Sequence, residues 1–429
     1  MLDIKFIRQN PDVVREAIKN KSVDLDLDKL LAADERRRHV MQEFEQLKAE
    51  QNKKSKGPQS PESIEELRGA KEKIKLLEKE LEIVESEFNH LLIQVPNIPT
   101  EDTPIGKSEA ENKVIREVGK IPKFNFEVKN HWQMAQEKDL IDKERAANVA
   151  GARFAYLKGA LVRLQFAIIQ FTIDQLTDSK IIKKIIKNNK LQTSDKPFVP
   201  VLPPALIKTE VYKGTARLSQ EETTYKLEGD DLWLNASAEH SLVPMYQNET
   251  LTEADLPIRY LGYTTAFRRE AGTYGKDMEG ILRMHQFDKL ELESFSTKEQ
   301  GQQEHLFLVA IQEYLMQQLE IPYHVLLKCT ADIGFANARG VDIEAWLPGQ
   351  NKYRETHTAD YMTDFQARRL NIRVRRSSNE LEFVHTNDAT AFAMPRTLIS
   401  IMENYQTEKG AIIIPKALRK YMGGIKEIK

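Results

Sequence analysis

Between residues 67 and 91 the apolar side chains Leu67, Ala70, Ile74, Leu77, Leu81, Val84, Phe88 and Leu91 alternate steps of three and four. That spacing keeps one narrow apolar stripe on a helix and requires a second helix to cover it. Upstream, Leu30, Ala33, Val40, Phe44 and Leu47 run in compatible register, with Arg37 on one seam position. Lys56-Gly57-Pro58-Gln59-Ser60-Pro61 separates the two stretches, and a break that short returns the chain antiparallel to itself. The pattern therefore predicts an antiparallel α-helical coiled-coil arm over about 28–94, its helices reaching about 45–50 Å at 1.5 Å rise per residue.

Arg36, Arg37, Arg38, Lys48, Lys53, Lys54 and Lys56 line the first helix and the tip, where cations could follow a phosphate backbone. Asp34, Glu35, Glu43, Glu45 and Glu50 are interspersed, so the charges alone fit a spacer or dimerisation element equally well. Val95-Pro96-Asn97-Ile98-Pro99 through Pro104-Ile105-Gly106 ends the helical periodicity and marks a domain boundary, placed at 110/111.

The chain has 429 residues, room for two or three domains; 41% hydrophobic and 30% charged residues are those of a soluble globular protein. Sixty-three Lys+Arg against 65 Asp+Glu create no global basic field. The single cysteine, Cys329, excludes an intramolecular disulfide and a cysteine-based zinc cluster, as suits a reducing compartment. The amino terminus lacks an apolar signal core. The most apolar run, Gly159–Leu176, is interrupted by Arg163, Gln165, Gln170 and Asp174 and reads as a buried helix rather than a membrane span. A cytoplasmic protein with no membrane partner is expected.

The carboxy-terminal three quarters mix helices, over about 137–176, 298–319 and 393–406, with strand patterns at 232–239, 285–295, 341–348 and 380–388. Without regular strand–helix alternation this predicts an α+β fold on a mostly antiparallel sheet flanked by helices. Within it, 267–295 reads as two strands around a loop holding Gly272, Gly275 and Gly280. Arg268 and Glu270, two apart, are expected on one face of the first strand, and Phe287 on the second. An arginine that can grip phosphate beside an aromatic surface for a base suggests a nucleotide site. Walker-type, H-E-x-x-H and nucleophile-elbow motifs are absent.

These residues, with Glu239, Arg283, Glu291, Glu355 and Arg396, bring the chain to a family it resembles along its whole length: the seryl-tRNA synthetases of bacterial type. GARFAYLKGALVRLQFAI (151–168), VLPPALIK (201–208), the 267–295 hairpin, VDIEAWLPGQNKYRE (341–355), DFQARR (364–369), AFAMPRTLISIMENYQ (391–406) and YMGG (421–424) carry the likeness, three of them resembling class II motifs 1, 2 and 3. The resemblance implies a tRNA-binding domain (1–110) followed by a class II catalytic domain (111–429). It implies activation of L-serine by ATP to seryl-adenylate, then transfer to the 3′ end of tRNA(Ser), in a homodimer, with a selenocysteine tRNA as a further candidate partner.

By the same resemblance Arg268 and Arg396 are catalytic. Arg268, Arg269, Glu270, Arg283, Phe287, Glu355, Thr356, His357, Thr358 and Arg396 bind ATP, with Glu355 and Thr358 toward Mg²⁺ and no zinc. Ser237, Ala238, Glu239, Arg268, Glu291, Asp388 and Thr390 bind serine, and Arg36, Arg37, Arg38, Lys48, Lys53 and Lys54 bind tRNA. The chain departs from the family pattern at Ser237, where threonine is usual, at Asp388, where asparagine is usual, and at Thr358-Ala359-Asp360, in place of Ser-Cys-Ser. The alternatives are a paralogue of altered amino-acid specificity and a non-catalytic RNA-binding homologue.

Overall fold

The computed structural model describes residues 1–56, 60–218, 224–270 and 279–429. Gly57, Pro58 and Gln59 of the predicted turn, and Gly272 and Gly275 of the predicted glycine loop, lie outside them. The chain divides into two compact units, Met1–Ile98 and Pro99–Lys429. The division falls earlier than 110/111 because the intervening residues hydrogen-bond into the second unit. Thr100 donates its N–H to the Ala338 carbonyl at 2.9 Å, and Gly106 its N–H to the Thr330 hydroxyl at 3.2 Å.

In the first unit, α1 (Leu27–Lys54) and α2 (Pro61–Leu92) form the hairpin. Asp26 and Ser60 cap them, each side chain accepting backbone N–H groups of the first turn. The heptad positions Ile74, Val84 and Phe88 are buried, as are Leu30, Ala33 and Val40 opposite. Arg37 keeps its seam position by laying its guanidinium over the Phe88 ring, 4.5 Å from the centroid, and donating to buried Asp34 at 3.2 Å. Asp34 also accepts from Arg38 at 3.1 Å and pairs with Arg8 at 3.4 Å.

The second unit is built on an eight-stranded sheet. Its strands are β1 (Lys113–Val118), β2 (Val199–Val201), β3 (Ile258–Phe267), β4 (Gln286–Ser296), β5 (Tyr323–Leu327), β6 (Arg339–Leu347), β7 (Lys352–Thr363) and β8 (His385–Ala393). They lie in the order β1-β5-β6-β7-β8-β4-β3-β2, antiparallel throughout except for the terminal β2–β3 pair. Helices α3 (Ala160–Leu176), α4 (Gly301–Gln318) and α5 (Met394–Asn404) supply the apolar side of the core.

The segment Lys289-Leu290-Glu291-Leu292-Glu293 on β4 shows how the sheet is polarised. Successive side chains of a strand point to opposite faces. Leu290 and Leu292 enter the core with Phe307, Leu308 and Ile311 of α4, and Lys289, Glu291 and Glu293 therefore point to the other face. The register carries that face across the sheet, pairing Glu293 with Asp388 and Glu291 with Thr390.

Three local readings change. β3 ends at Phe267, so Arg268 and Glu270 lie past the strand rather than on one of its faces, and Glu270 has a left-handed φ of 49°. Of 232–239 only Leu232–Leu234 is strand; Ser237 and Ala238 form the turn into the short helix Glu239–Leu242. The 380–388 stretch is two strands, Leu381–Phe383 and β8.

A fully buried ion pair ties β3 to α4. Arg259 donates to both carboxylate oxygens of Glu304, at 2.8 and 2.6 Å, and Ser294 donates to the same group at 2.6 Å. Replacing Arg259 with leucine strands a buried carboxylate, which costs about 3–5 kcal/mol. Urea unfolding of R259L should show a loss of that size.

Candidate active site

Two groups of side chains occupy the polar face, one along the β3–β4 hairpin and α5, the other over the centre of β4, β7 and β8. The first lines a cavity of ≈ 80 Å³ bordered by Arg268, Glu270, Arg283, Phe287, Glu355 and Arg396. Arg268 is anchored from behind, its Nε donating to the Ala236 carbonyl at 3.1 Å, and its guanidinium sits 5.4 Å from the Phe287 ring centroid. Glu270 accepts from Arg283 at 3.1 Å, and its carbonyl accepts from Arg153. Arg396 donates from α5 to the carboxylate and to the carbonyl of Glu355, both at 2.8 Å. Burial opposes ionisation of Glu355, but Arg396, Lys328 and Arg268 outweigh it and hold the carboxyl below its usual range.

Glu355 reaches this face because of a bulge. The β6–β7 register slips by one residue, pairing Ile343 with His357 but Glu344 with Glu355 and leaving Thr356 as the extra residue. Strict alternation would set Glu355 opposite Thr358; the bulge puts both on the polar side, and Thr356 donates its hydroxyl to the Ile343 carbonyl at 3.1 Å. His357 is turned the other way. It is buried 5.4 Å from the Phe392 ring centroid and bonded to the Thr356 hydroxyl at 2.8 Å, and burial lowers its pKa to about 3. Arg269 also stands apart, its guanidinium over the Tyr225 ring at 5.1 Å. A second, wider cavity of ≈ 560 Å³ adjoins, where Lys328, Asp342, Glu344 and Glu355 face Arg283 and Arg396.

The second group contains Ser237, Ala238, Glu239, Glu291, Asp388 and Thr390, all buried. Glu239, Glu291 and Asp388 each offer an oxygen within 4.8 Å of the others. The short helix carrying Glu239 comes this close because β3 has a glycine beneath it: a Cβ on Gly262 would meet Leu242 Cδ1 at 2.7 Å. Thr390 donates to Glu291 at 3.4 Å, and Lys289 pairs with Glu291 at 2.8 Å while donating to the Ser237 hydroxyl at 3.0 Å. Glu239 Oε2 is buried with no hydrogen-bond partner among the described residues.

Asp388, whose negative charge stands out in the sequence, has a cation. Arg217 donates to it at 2.6 Å and to Asp360 at 3.3 Å. Burial and neighbouring carboxylates split the acids into two classes. Burial raises the pKa of Glu291 to about 8 and that of Asp388 to about 7, against the pull of Lys289 and Arg217 respectively; Glu293, buried beside Asp388, is raised well above its usual range. For Glu239 burial also favours the neutral form, but Lys289, His240 and Arg217 together hold its pKa below the usual range. One carboxylate stays charged among neighbours that keep or share protons.

Sequence reasoning found Glu239, Glu291 and Asp388 and missed Glu293 and the cations Lys289 and Arg217. Lys289 was within reach, since it lies two residues before Glu291 on a strand and so on the same face. Arg217 gave no signal, arriving from a loop after the short helix Thr209–Gly214.

Glu291 yields a pH test. Its folded pKa of about 8 exceeds the unfolded carboxyl value, so the folded state binds more protons and stability falls as pH rises between about 5 and about 8. Glu291→Gln removes this titration. Its melting temperature should decline less than that of the wild type over the same interval in a thermal-unfolding series.

Residues 1–99 match the family model described as the seryl-tRNA synthetase N-terminal domain, and residues 223–405 match the class II tRNA synthetase core domain (G, H, P, S and T). The chain is 41% identical to the serine–tRNA ligase of Symbiobacterium thermophilum, over 98% of each chain, and 40% identical to that of Syntrophotalea carbinolica, over 100% of each. Among solved structures it resembles seryl-tRNA synthetase from Pyrococcus horikoshii complexed with ATP, at a TM-score of 0.90 and 37% identity, covering 100% of this chain and 99% of that one. It also resembles the cytoplasmic serine–tRNA ligase of Naegleria fowleri in complex with AMP, at 0.86 and 30% identity, with the same coverage.

Proposed function

The chain belongs to the seryl-tRNA synthetase family of class II aminoacyl-tRNA synthetases, and from that premise we propose how its residues divide the reaction. The enzyme activates L-serine with ATP and transfers the seryl group to tRNA(Ser). A serine carboxylate oxygen attacks the α-phosphorus; the new O–P bond gives seryl-adenylate as the bond to the β-phosphate breaks and pyrophosphate leaves. The adenosine 3′-end hydroxyl of the tRNA then attacks the acyl carbon and releases AMP. Such chemistry depends on positioning and on stabilising phosphate charge rather than on a protein nucleophile.

The observation that carries the reading is the adjacency of the two polar groups. Phe287 gives adenine a flat surface and Glu270 reads its edge. Arg268 faces the α-phosphate, and Arg283 and Arg396 meet the other phosphates in the wider cavity. Next to them, Glu239 offers a charged, unpaired oxygen to the serine ammonium, and Glu291 with Thr390 addresses the hydroxyl. A site built to bond a hydroxyl leaves buried polar groups unpaired when alanine enters, which disfavours it. Convergent carboxylates with a lysine among them suit an ammonium group better than zinc, which prefers nitrogen and sulfur.

Mg²⁺ fits the wider cavity: Glu355 and Asp342 border it, with Thr358 paired across the strands to Asp342, and the ion prefers such oxygen donors plus substrate phosphates. When bound it would neutralise phosphate charge.

A homodimer is supported by the outer strand β2 and the segment after it, where Val199, Leu202 and Leu206 are exposed apolar residues, Leu202 at 80%. No helix of the described residues is long and apolar enough to cross a membrane, and a cytoplasmic location follows from the family reading.

ATP–pyrophosphate exchange across serine, threonine, alanine and cysteine tests the assignment. Exchange should be strongest with serine; a stronger response to another amino acid would favour an altered specificity, and none at all a non-catalytic homologue.

The arm is proposed to contact tRNA through its backbone and shape, since A-form RNA hides its major-groove edges. Its cations are not equivalent. Arg37 and Arg38 serve Asp34 inside the hairpin, Arg36 pairs with Glu80 at 2.9 Å, and Lys54 pairs with Glu66 at 2.8 Å. Surface pairs like the last two are weak and readily exchanged for phosphate. Replacing Arg36, Lys48 and Lys53 together with alanine should lower serine charging of tRNA and spare amino-acid-dependent exchange, whereas Arg37→Ala should also lower the melting temperature.

A further inference from the structure

The three carboxyl groups that converge in the amino-acid cluster are equivalent in distance but not in partnership. Lys289 pairs with Glu291 at 2.8 Å, and Arg217 donates to Asp388 at 2.6 Å. Glu239 has His240 Nε2 at 3.4 Å from Oε1, while its Oε2 has no partner among the described residues. Lys289 and Arg217 thus make contact ion pairs at two corners of the triangle; at the third they keep Glu239 charged from a distance and leave its Oε2 open to an incoming ammonium.

Arg217 is placed for this by its own backbone anchors. Thr215 is fully buried; its carbonyl accepts from Gln366 at 2.9 Å, and its hydroxyl accepts the Arg217 N–H at 3.2 Å. Ala216 between them has φ 59°, the tight turn that aims Arg217 at the sheet. There it meets Asp388 of β8 and Asp360 of β7, cross-strand partners in the register. Two carboxylates side by side repel, and a guanidinium that donates to both makes the pair tolerable in a buried setting.

We propose that Arg217 is a positioning residue of the amino-acid pocket: by holding Asp388 and Asp360 in ion pairs it leaves Glu239 as the carboxylate that receives the serine ammonium. The inference rests on reading this cluster as the serine site. Without Arg217, Asp388 loses the donor that occupies its oxygen and is left as a second acceptor less than 5 Å from Glu239, while Glu239 loses one of the cations that hold it charged. Serine then divides between two seats, only one of which directs its carboxylate to the α-phosphate. The ATP cavity is lined by other residues and is unaffected.

The test is steady-state ATP–pyrophosphate exchange with serine and ATP varied separately in wild type, R217Q, R217K, D388N and R217Q/D388N, with thermal unfolding of each. R217Q should raise the serine KM about tenfold or more and leave the ATP KM within about twofold, and R217Q/D388N should recover most of the loss. R217K, which keeps the charge but not the fork, should fall between R217Q and wild type. A double variant no better than R217Q, or an ATP KM that rises in parallel, would overturn the proposal. If R217Q does not fold, D388N and R217Q/D388N decide it, since with no carboxylate at position 388 the two should agree within about threefold in serine KM, and a larger gap would overturn it. Wild-type protein that gives no exchange with serine would instead sink the reading of the site itself.

Discussion

Charge burial at the centre of the sheet is the constraint around which the catalytic unit is arranged. Glu239, Glu291, Glu293, Asp360 and Asp388 are all buried there. Desolvating so many acids together is unfavourable unless cations or shared protons offset it. Lys289 and Arg217 supply the cations, and the raised pKa values of Glu291, Glu293 and Asp388 show protons doing the rest. The apolar reverse of the same strands, Leu290 and Leu292 against α4, supplies the packing that holds these groups in place. A polar site of this density is tolerable only on a sheet whose other face is a well-filled core.

The β3–β4 hairpin joins the two halves of the chemistry because it is continuous between them. Phe287 sits near its start beside Arg268, and Glu291 lies two alternations further along on the same face. Nucleotide and amino acid are therefore registered by one strand, with no hinge between their contacts. Glu304 braces that strand from behind through Ser294 and Arg259.

Much of this was legible in the sequence, for physical reasons that differ by element. The arm follows from a heptad pattern, a nearly local property, and α1 and α2 end close to where the pattern does. The α+β character and the antiparallel sheet follow from the order of strand and helix signals. The β4 site face is written in Lys289-Leu290-Glu291-Leu292-Glu293, where alternation alone sorts core from site. What could not be read was long-range or backbone-specific. Arg217 meets Asp388 across 171 positions of sequence. That Arg37 and Arg38 also serve as internal fixings depends on Asp34 being buried, which its position in a charged run concealed. His357, itself expected to bind ATP, is buried against Phe392, a placement its position among polar neighbours did not reveal.

The bulge at Thr356 has a consequence for how this region can change. An extended strand assigns its side chains to two faces by parity, and a single extra residue inverts that parity for everything on one side of it. Here the inversion lets one strand serve the phosphate cavity before the bulge and the acid cluster after it, with Glu355 and Thr358 on a shared face. Side chains in β7 can be exchanged one at a time, and even loss of Thr356 would leave Glu355 and Thr358 two apart on one face, as ordinary alternation requires. A second residue inserted or removed between them without a matching bulge would turn the Glu355 carboxylate toward the apolar core while leaving the composition of the site almost intact.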